Sequence, residues 1–280
     1  MKIGLLRKIY PLISNHSKNI KWRSLTDKEL DATMQNPQMI ANCFDEATRY
    51  SLLSSTKGRD LLKKRIKIEK GAMTDQTYKI RFNVDGKDET YRTTKADYWG
   101  KYYGLNKDYN GCKKEFIAPD KPISLNLGVS IAISKMVSRH PSQKPLISRL
   151  YGQPMFVNRN CEFNRPSNAF KWLTGIEPTN IGEKSIKLTL KSQKKEALQT
   201  LNELGNASSK DYSFVALSGH KKTHGIPTWH CLPVIDVNNK NKTVTILNKR
   251  TNKQVVMSFD KMIDSFKALV GINWKNQGKV

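Results

Sequence analysis

The pattern of apolar residues changes period at Tyr212, and that change restricts the fold more than any other property of the chain. Before it, apolar residues recur at helical spacing: Ile131, Ile133 and Met136 within Leu125–Val137, and Ala197, Leu198, Leu201 and Leu204 within Lys191–Leu204. A shorter helix is predicted over Pro166–Leu173, with Pro at its start and Gly175 as its stop. After Tyr212, the runs Tyr212–Ser218, Trp229–Val237 and Thr243–Leu247 read as strands, with a turn at Asn238-Asn239-Lys240. A final helix is predicted over Phe259–Ala268. One early segment departs from the helical pattern: Tyr78, Ile80, Phe82 and Val84 alternate with polar residues, and Asp85-Gly86 supplies a hairpin turn.

Helices followed by strands imply an α+β chain rather than alternating βαβ units. At 280 residues and 38% hydrophobic, it can bury one large domain or two lobes sharing an interface. The expected division is a basic N-terminal extension over residues 1–29, a mainly helical lobe over 30–205 and a β-rich lobe over 206–275. The extension ends at a capping-like Thr26-Asp27-Lys28-Glu29. No repeat of 20–50 residues is visible.

Lys and Arg number 49 against 24 Asp and Glu, a formal charge of +25. Such an excess attracts anionic surfaces, whether membrane or nucleic acid. No nucleic-acid motif accompanies it, and the pairs Lys63-Lys64-Arg65, Lys113-Lys114, Lys194-Lys195, Lys221-Lys222 and Lys249-Arg250 are spread evenly. Lys8 and Pro11 interrupt the only apolar stretch near the N-terminus, so no cleaved signal is expected, and no run is long enough to span a bilayer. The expected location is the cytoplasm, or outside the cell by export without a cleaved secretory signal. The four cysteines, Cys43, Cys112, Cys161 and Cys231, lack the spacing of a zinc site or a disulfide framework. Free thiols and no metal are expected.

Asn42 is a good N-cap, acidic residues follow in the first turn, and Phe44, Ala47, Thr48, Ser51 and Leu52 share a helical face. A helix therefore begins almost at Cys43, with Gly58 expected to close it. A thiol attacks carbonyls only as thiolate, which a helix N-terminus and a nearby imidazolium favour. A cysteine at that position is more commonly a small buried hydrophobe, so the argument needs partners. His230 lies on a predicted strand, and Asn248 ends the next one. Antiparallel neighbours can bring the two together, the asparagine then fixing the imidazole's tautomer and plane. His16, His140, His220 and His224 have no such partner in sequence.

Over roughly residues 30–270 the chain resembles the protease core of the calpain family, papain-like cysteine proteases. Asn42-Cys43-Phe44 with Ala47, Tyr50 and Ser51-Leu52-Leu53 is similar to that family's Gly-Asp-Cys-Trp motif and the helix behind it. Pro166–Gly175 resembles its Ala-Leu-x-x-Leu-Thr-Gly stretch, and the strand pair around Phe82 and Tyr91 resembles its hairpin. Trp229-His230-Cys231-Leu232-Pro233-Val234 resembles the His-Ala-Tyr-x-Val element, and Ile246-Leu247-Asn248 the strand ending in Asn-Pro-Trp-Gly. The resemblance implies a papain-like fold with Cys43 as nucleophile, His230 as general base and Asn248 as orienter. It also implies an oxyanion-hole glutamine six residues before the cysteine. Pro37 stands there, so the role falls to neighbouring Gln38, with Gln35 farther away. Lys249-Arg250 replaces the family's Pro-Trp. No EF-hand pattern is present, so calcium dependence through such a segment is not expected, while core calcium sites stay open.

The implied activity is that of a cysteine endopeptidase acting on protein substrates through a thioester, without a cofactor. Two alternatives keep these residues. One is a glutamine deamidase or transglutaminase-like effector using the same triad; the other is a catalytically dead protease fold that binds through its basic surface.

Overall fold

A computed structural model describes residues 21–35, 43–70, 77–94, 97, 124–143, 165–183, 188–219, 225–228, 230–249 and 251–277. The chain is α+β with two antiparallel sheets. Its elements run β1 (Trp22–Ser24), α1 (Asp27–Gln35), α2 (Cys43–Ser54), α3 (Thr56–Arg65), β2 (Ile66–Glu69), β3 (Tyr78–Val84) and β4 (Lys87–Thr93). They continue with α4 (Leu125–Arg139), α5 (Pro166–Thr174), β5 (Thr179–Ile181), α6 (Lys194–Gly205), β6 (Tyr212–Ser218), β7 (Cys231–Asn238) and β8 (Thr243–Asn248). The last are β9 (Lys253–Ser258), α7 (Phe259–Ser265) and β10 (Phe266–Asn273).

The smaller sheet has the order β1-β2-β3-β4. Asp85 and Gly86 both take positive φ, 49° and 84°, as a two-residue hairpin turn requires, and β3 pairs with β4 in the register this turn sets. Tyr78, Ile80, Phe82 and Val84 are buried while Lys79 and Arg81 are exposed, the expected alternation. Helices α4 and α5 cover that apolar face.

The larger sheet runs β5-β10-β6-β7-β8-β9. Its two faces belong to different cores. Val215, Cys231, Ala268, Val270 and Ile272 point into a core shared with α2, α4, α5 and the smaller sheet. Phe214, Ala216, Leu232, Val234, Ile246 and Leu269 point the other way, against Ala197, Leu201 and Leu204 of α6 and Met262 and Ile263 of α7. A sheet packed on both faces needs apolar residues at successive positions, and β6 and β10 read that way.

That double burial explains one departure from expectation. The helix foreseen over Phe259–Ala268 stops at Ser265, and Phe266–Asn273 is a central strand paired with β5 and β6. A short continuous apolar run carries no period by which strand and helix can be told apart. Gly58 is a second case. Helix α2 ends at Ser54; Ser55 caps α3, its Oγ accepting from the Gly58 N–H at 3.1 Å. Gly58 lies in the first turn of α3, and a Cβ there would sit 2.3 Å from the Leu52 carbonyl oxygen. It permits a close approach of the two helices rather than ending one.

The folded region also starts earlier than residue 30. Strand β1 pairs with β2, and Thr26 forms a capping box: Glu29 N–H donates to Thr26 Oγ1 at 3.3 Å, and Thr26 N–H donates to Glu29 Oε2 at 2.8 Å. Strand β5 and helix α6, expected with the helical lobe, belong to the larger sheet and its outer layer. The helices at Pro166 and Leu125 and the strand at Tyr212 lie where the sequence puts them, Gly175 capping α5 with φ 76°. Among the described residues, no helix is long and apolar enough to cross a membrane.

Candidate active site

Helix α2 is the base of the site. Phe44, Ala47, Leu52 and Leu53 bury its apolar side, and it packs on β6, β7 and α5. Behind the first turn lies a buried polar network. Asp45 accepts from Arg49 Nε at 2.9 Å, Arg49 Nη2 at 3.1 Å and Ser130 Oγ at 3.1 Å. Arg49 Nη1 also donates to Asn126 Oδ1. Asn126 Nδ2 in turn donates to the Thr33 carbonyl of α1 at 3.3 Å. The network ties the start of α2, whose first residue is Cys43, to α1 and α4 through buried groups.

Strand β7 delivers the partners. His230 immediately precedes it, and Ser218 clamps its backbone: Ser218 N–H donates to the His230 carbonyl at 2.9 Å, and His230 N–H donates to Ser218 Oγ at 2.8 Å. The Ser218 hydroxyl donates to the Pro227 carbonyl at 2.6 Å. Cys43 is half-buried, packs on the core to which Cys231 belongs, and lies near enough to the His230 imidazole and to the thiol and backbone N–H of Cys231 for all three to act on its pKa. The Cys231 thiol hydrogen bond, together with the hydrogen bond and positive charge of His230, holds the Cys43 thiol well below its ordinary range, despite burial acting the other way. The same sulfur–sulfur hydrogen bond, added to burial, pushes Cys231 well above its ordinary range. Of the two thiols, Cys43 is the one whose ionised form these surroundings favour.

Asn248 ends β8 and is buried. Val234 faces Ile246 across β7 and β8, and continuing that register sets Asn248 opposite Leu232, diagonal to His230. Diagonal neighbours on one face of a sheet lie about 7–8 Å apart at Cα, within reach of long or ring side chains. Lys249 follows, where the resemblance would put a proline. Its stem is buried against α2: Nζ donates to the Met34 carbonyl at 2.7 Å and lies 4.5 Å from the Tyr50 ring centroid. Burial lowers its pKa, with Glu46 opposing.

Cys43 and His230 thus meet at the tip of α2, and Asn248 ends the strand next to the one that follows His230. Gln38 and Pro37 lie outside the described residues, as do Cys112, Cys161, His16, His220 and His224. His140 sits elsewhere, its Nε2 2.9 Å from Glu89 Oε2. Among the described residues, no three His, Cys, Asp or Glu side chains gather as metal ligands. Basic side chains named above are partly engaged: Lys63 pairs with Asp27 at 2.8 Å, Arg65 with Asp88 at 3.0 Å and Lys194 with Asp260 at 3.0 Å.

Two residues of the site carry no legible signal in sequence. Cys231 follows His230 directly, and its role depends on how the strand end meets α2. Glu183 is buried just after β5, with its carboxyl pKa raised chiefly by burial. Its Oε2 accepts from Asn180 Nδ2 at 2.9 Å and its Oε1 finds no hydrogen-bond partner among the described residues, while its charge reaches Cys231. It also meets Ser167 at the start of α5, where Arg165 supplies no side-chain cap.

No protein-family model matches this chain, and no curated protein matches it. The geometry of the site therefore carries the functional reading.

Proposed function

We propose that this chain is a cysteine endopeptidase with a papain-like fold, of the calpain type, with Cys43 as nucleophile, His230 as acid–base and Asn248 as orienter. What supports this reading is the nearness of Cys43 at a helix tip to His230, just ahead of a strand in the far half of the chain, with the thiol pKa drawn well below its ordinary range. A structural cysteine has no need of a hydrogen-bonded imidazole. A nucleophile does.

The thiolate attacks the scissile carbonyl carbon, and the oxygen takes the charge. N–H groups in the first turn of α2 have no intrahelical acceptors, so they and the helix dipole favour that oxyanion. His230, protonated beside the thiolate, gives its proton to the leaving amine. It then takes a proton from water, which attacks the thioester and frees Cys43. Asn248 holds the imidazole plane, and Gln38 is the proposed second oxyanion donor. The protein substrate reaches the site without a cofactor.

The test is labelling by a thiol-reactive electrophile across pH, with Cys43→Ala beside the native protein, followed by mass spectrometry of an unfolded protein substrate. Labelling confined to Cys43 and persisting well below pH ~8 is expected, with new cleavage fragments. A substrate that stays whole but gains about one dalton at glutamine would make the chain a deamidase using the same thioester. Labelling that rises only at the ordinary thiol pKa would overturn the nucleophile reading.

A further inference from the structure

The solvent face of the smaller sheet gathers cations that the sequence scatters. Alternate residues of β3 are buried against α4 and α5, so Lys79 and Arg81 stand on the opposite face and are exposed. The strand registers set Lys79 directly opposite Lys67 of β2 on one side and Arg92 of β4 on the other. Ser24 of β1 ends the row, facing Lys67 and accepting from its Nζ at 2.7 Å. Directly opposed side chains have Cβ atoms about 4.5–5.5 Å apart, and like charges so placed are destabilising. Arg81 adds a fourth cation about 7 Å from Lys79 along β3. None of the four belongs to the basic pairs visible in sequence; the pairing of the strands assembles them.

Few internal partners answer this charge. Asp88 of β4 is shared by Arg65 at 3.0 Å and Arg81 at 3.7 Å. Glu69 of β2, opposite Trp22, is the other carboxylate on this face. Lys67 also donates to the Lys63 carbonyl at 3.1 Å, while Lys79 Nζ stands 5.8 Å from the centroid of the Trp22 ring. Arg92 Nε is buried without a hydrogen-bond partner among the described residues.

We propose that this face binds single-stranded nucleic acid, with phosphates along the Lys67–Lys79–Arg92 row and Arg81, and with the Trp22 ring as a stacking surface for a base. Cations about 5–7 Å apart in two directions match a repeating polyanion, and an aromatic ring beside them takes a base of any identity. An anionic bilayer is a poorer match. Docking there needs apolar side chains to insert, and this face offers only half-buried Trp22. Val256, the large hydrophobic residue exposed among the described residues, lies on β9 of the other sheet. The surface uses neither Cys43 nor His230, so it stands apart from the acyl-transfer reading.

The test measures binding of the full chain to fluorescein-labelled oligothymidylate and oligouridylate by anisotropy across salt. Oligonucleotides of about 20 residues suffice, since one binding fold covers roughly 4–16. Lys79→Glu is the decisive variant. Loss of one phosphate contact should reduce the slope of log affinity against log salt by about 0.7 or more, a weakening of about fivefold at 0.1 M relative to 1 M. Urea titration should show the variant no less stable than the native chain, because a carboxylate now separates two cations. Lys79→Gln repeats the binding measurement without charge reversal, should the first variant fail to fold. The control is Lys195→Glu, exposed on α6 in the outer layer of the larger sheet, which changes the net charge equally and should leave most of the binding intact. Equal weakening by Lys195→Glu would show attraction by overall charge alone and overturn the proposal, as would native affinity in Lys79→Glu. Phosphatidylserine vesicles bound through Lys79, with neither oligonucleotide bound, would make the partner a membrane and overturn it as well.

Discussion

Replacing Asp45 by alanine tests whether the helix that begins at Cys43 is anchored as described. The Asp45 side chain is fully buried and Arg49 nearly so, and three hydrogen bonds of 2.9–3.1 Å converge on the carboxylate. Substitution leaves the Arg49 guanidinium in the core without the carboxylate that neutralises it. Breaking a buried pair from one side costs about 3–5 kcal/mol. A domain's whole stability is about 5–15 kcal/mol, so this is a large fraction of it. At about 2–4 °C per kcal/mol for a chain of this size, Tm should fall by roughly 6–20 °C. Urea titration by tryptophan fluorescence, with calorimetry beside it, gives both quantities. The double variant Asp45→Leu with Arg49→Met removes both charges and should be less destabilised than Asp45→Ala alone. The exposed pair of Arg59 with Asp31, 2.9 Å apart, is the control: Asp31→Ala should cost about 0.5 kcal/mol or less. A loss under about 1 kcal/mol for Asp45→Ala, or a double variant weaker than the single, would refute the reasoning.

Other substitutions separate chemistry from folding. Asn248→Ala should lower kcat on the order of 10²-fold by releasing the imidazole, while electrophile labelling of Cys43 persists; unchanged kcat would remove Asn248 from the site. Ser218→Ala strips the clamp from the His230 N–H and should cost about 1–3 kcal/mol, read by urea titration. Gly58→Ala places a methyl against the Leu52 carbonyl and should cost about 1–3 kcal/mol; a neutral result would show that α2 and α3 are less tightly joined.

Much of this fold is legible locally. Alternation and the Asp85-Gly86 turn give β3 and β4, and Pro166 with Gly175 brackets α5. The losses come where local signals are weak by nature. Phe266–Asn273 is apolar at nearly every position because both its faces are buried, so its sequence has no period to read. Strands β1 and β5 are three residues each and exist through their partners, β2 and β10. The site divides the same way. Cys43, His230 and Asn248 stand out because residue type and element ends can be read together. Cys231 does not, since its importance is a distance. Lys249 is likewise hidden: a lysine next to an arginine reads as surface charge, yet its stem packs on Tyr50 and its ammonium reaches Met34.

The paired sulfurs also set how stability should vary with pH. Cys43 has its pKa lowered on folding, so its contribution is complete above the unfolded thiol value, near 8.5, and is lost as pH falls through the folded value. Cys231 has its pKa raised, so its contribution is complete below the unfolded value and is lost as pH rises through the folded one. Their sum rises with pH up to about 8.5 and falls beyond it, because the folded pair holds one proton between them across a window where two free thiols would pass from two protons to none. In Cys43→Ser the hydroxyl does not ionise, so the rising limb should vanish and the Cys231 limb weaken with the loss of the facing charge. Chemical denaturation of both proteins between pH 6 and 10 measures the difference directly. A free-energy difference that stays flat from pH ~6 to ~8.5 would mean that Cys43 is an ordinary thiol, and the electrostatic basis of the nucleophile reading would go with it.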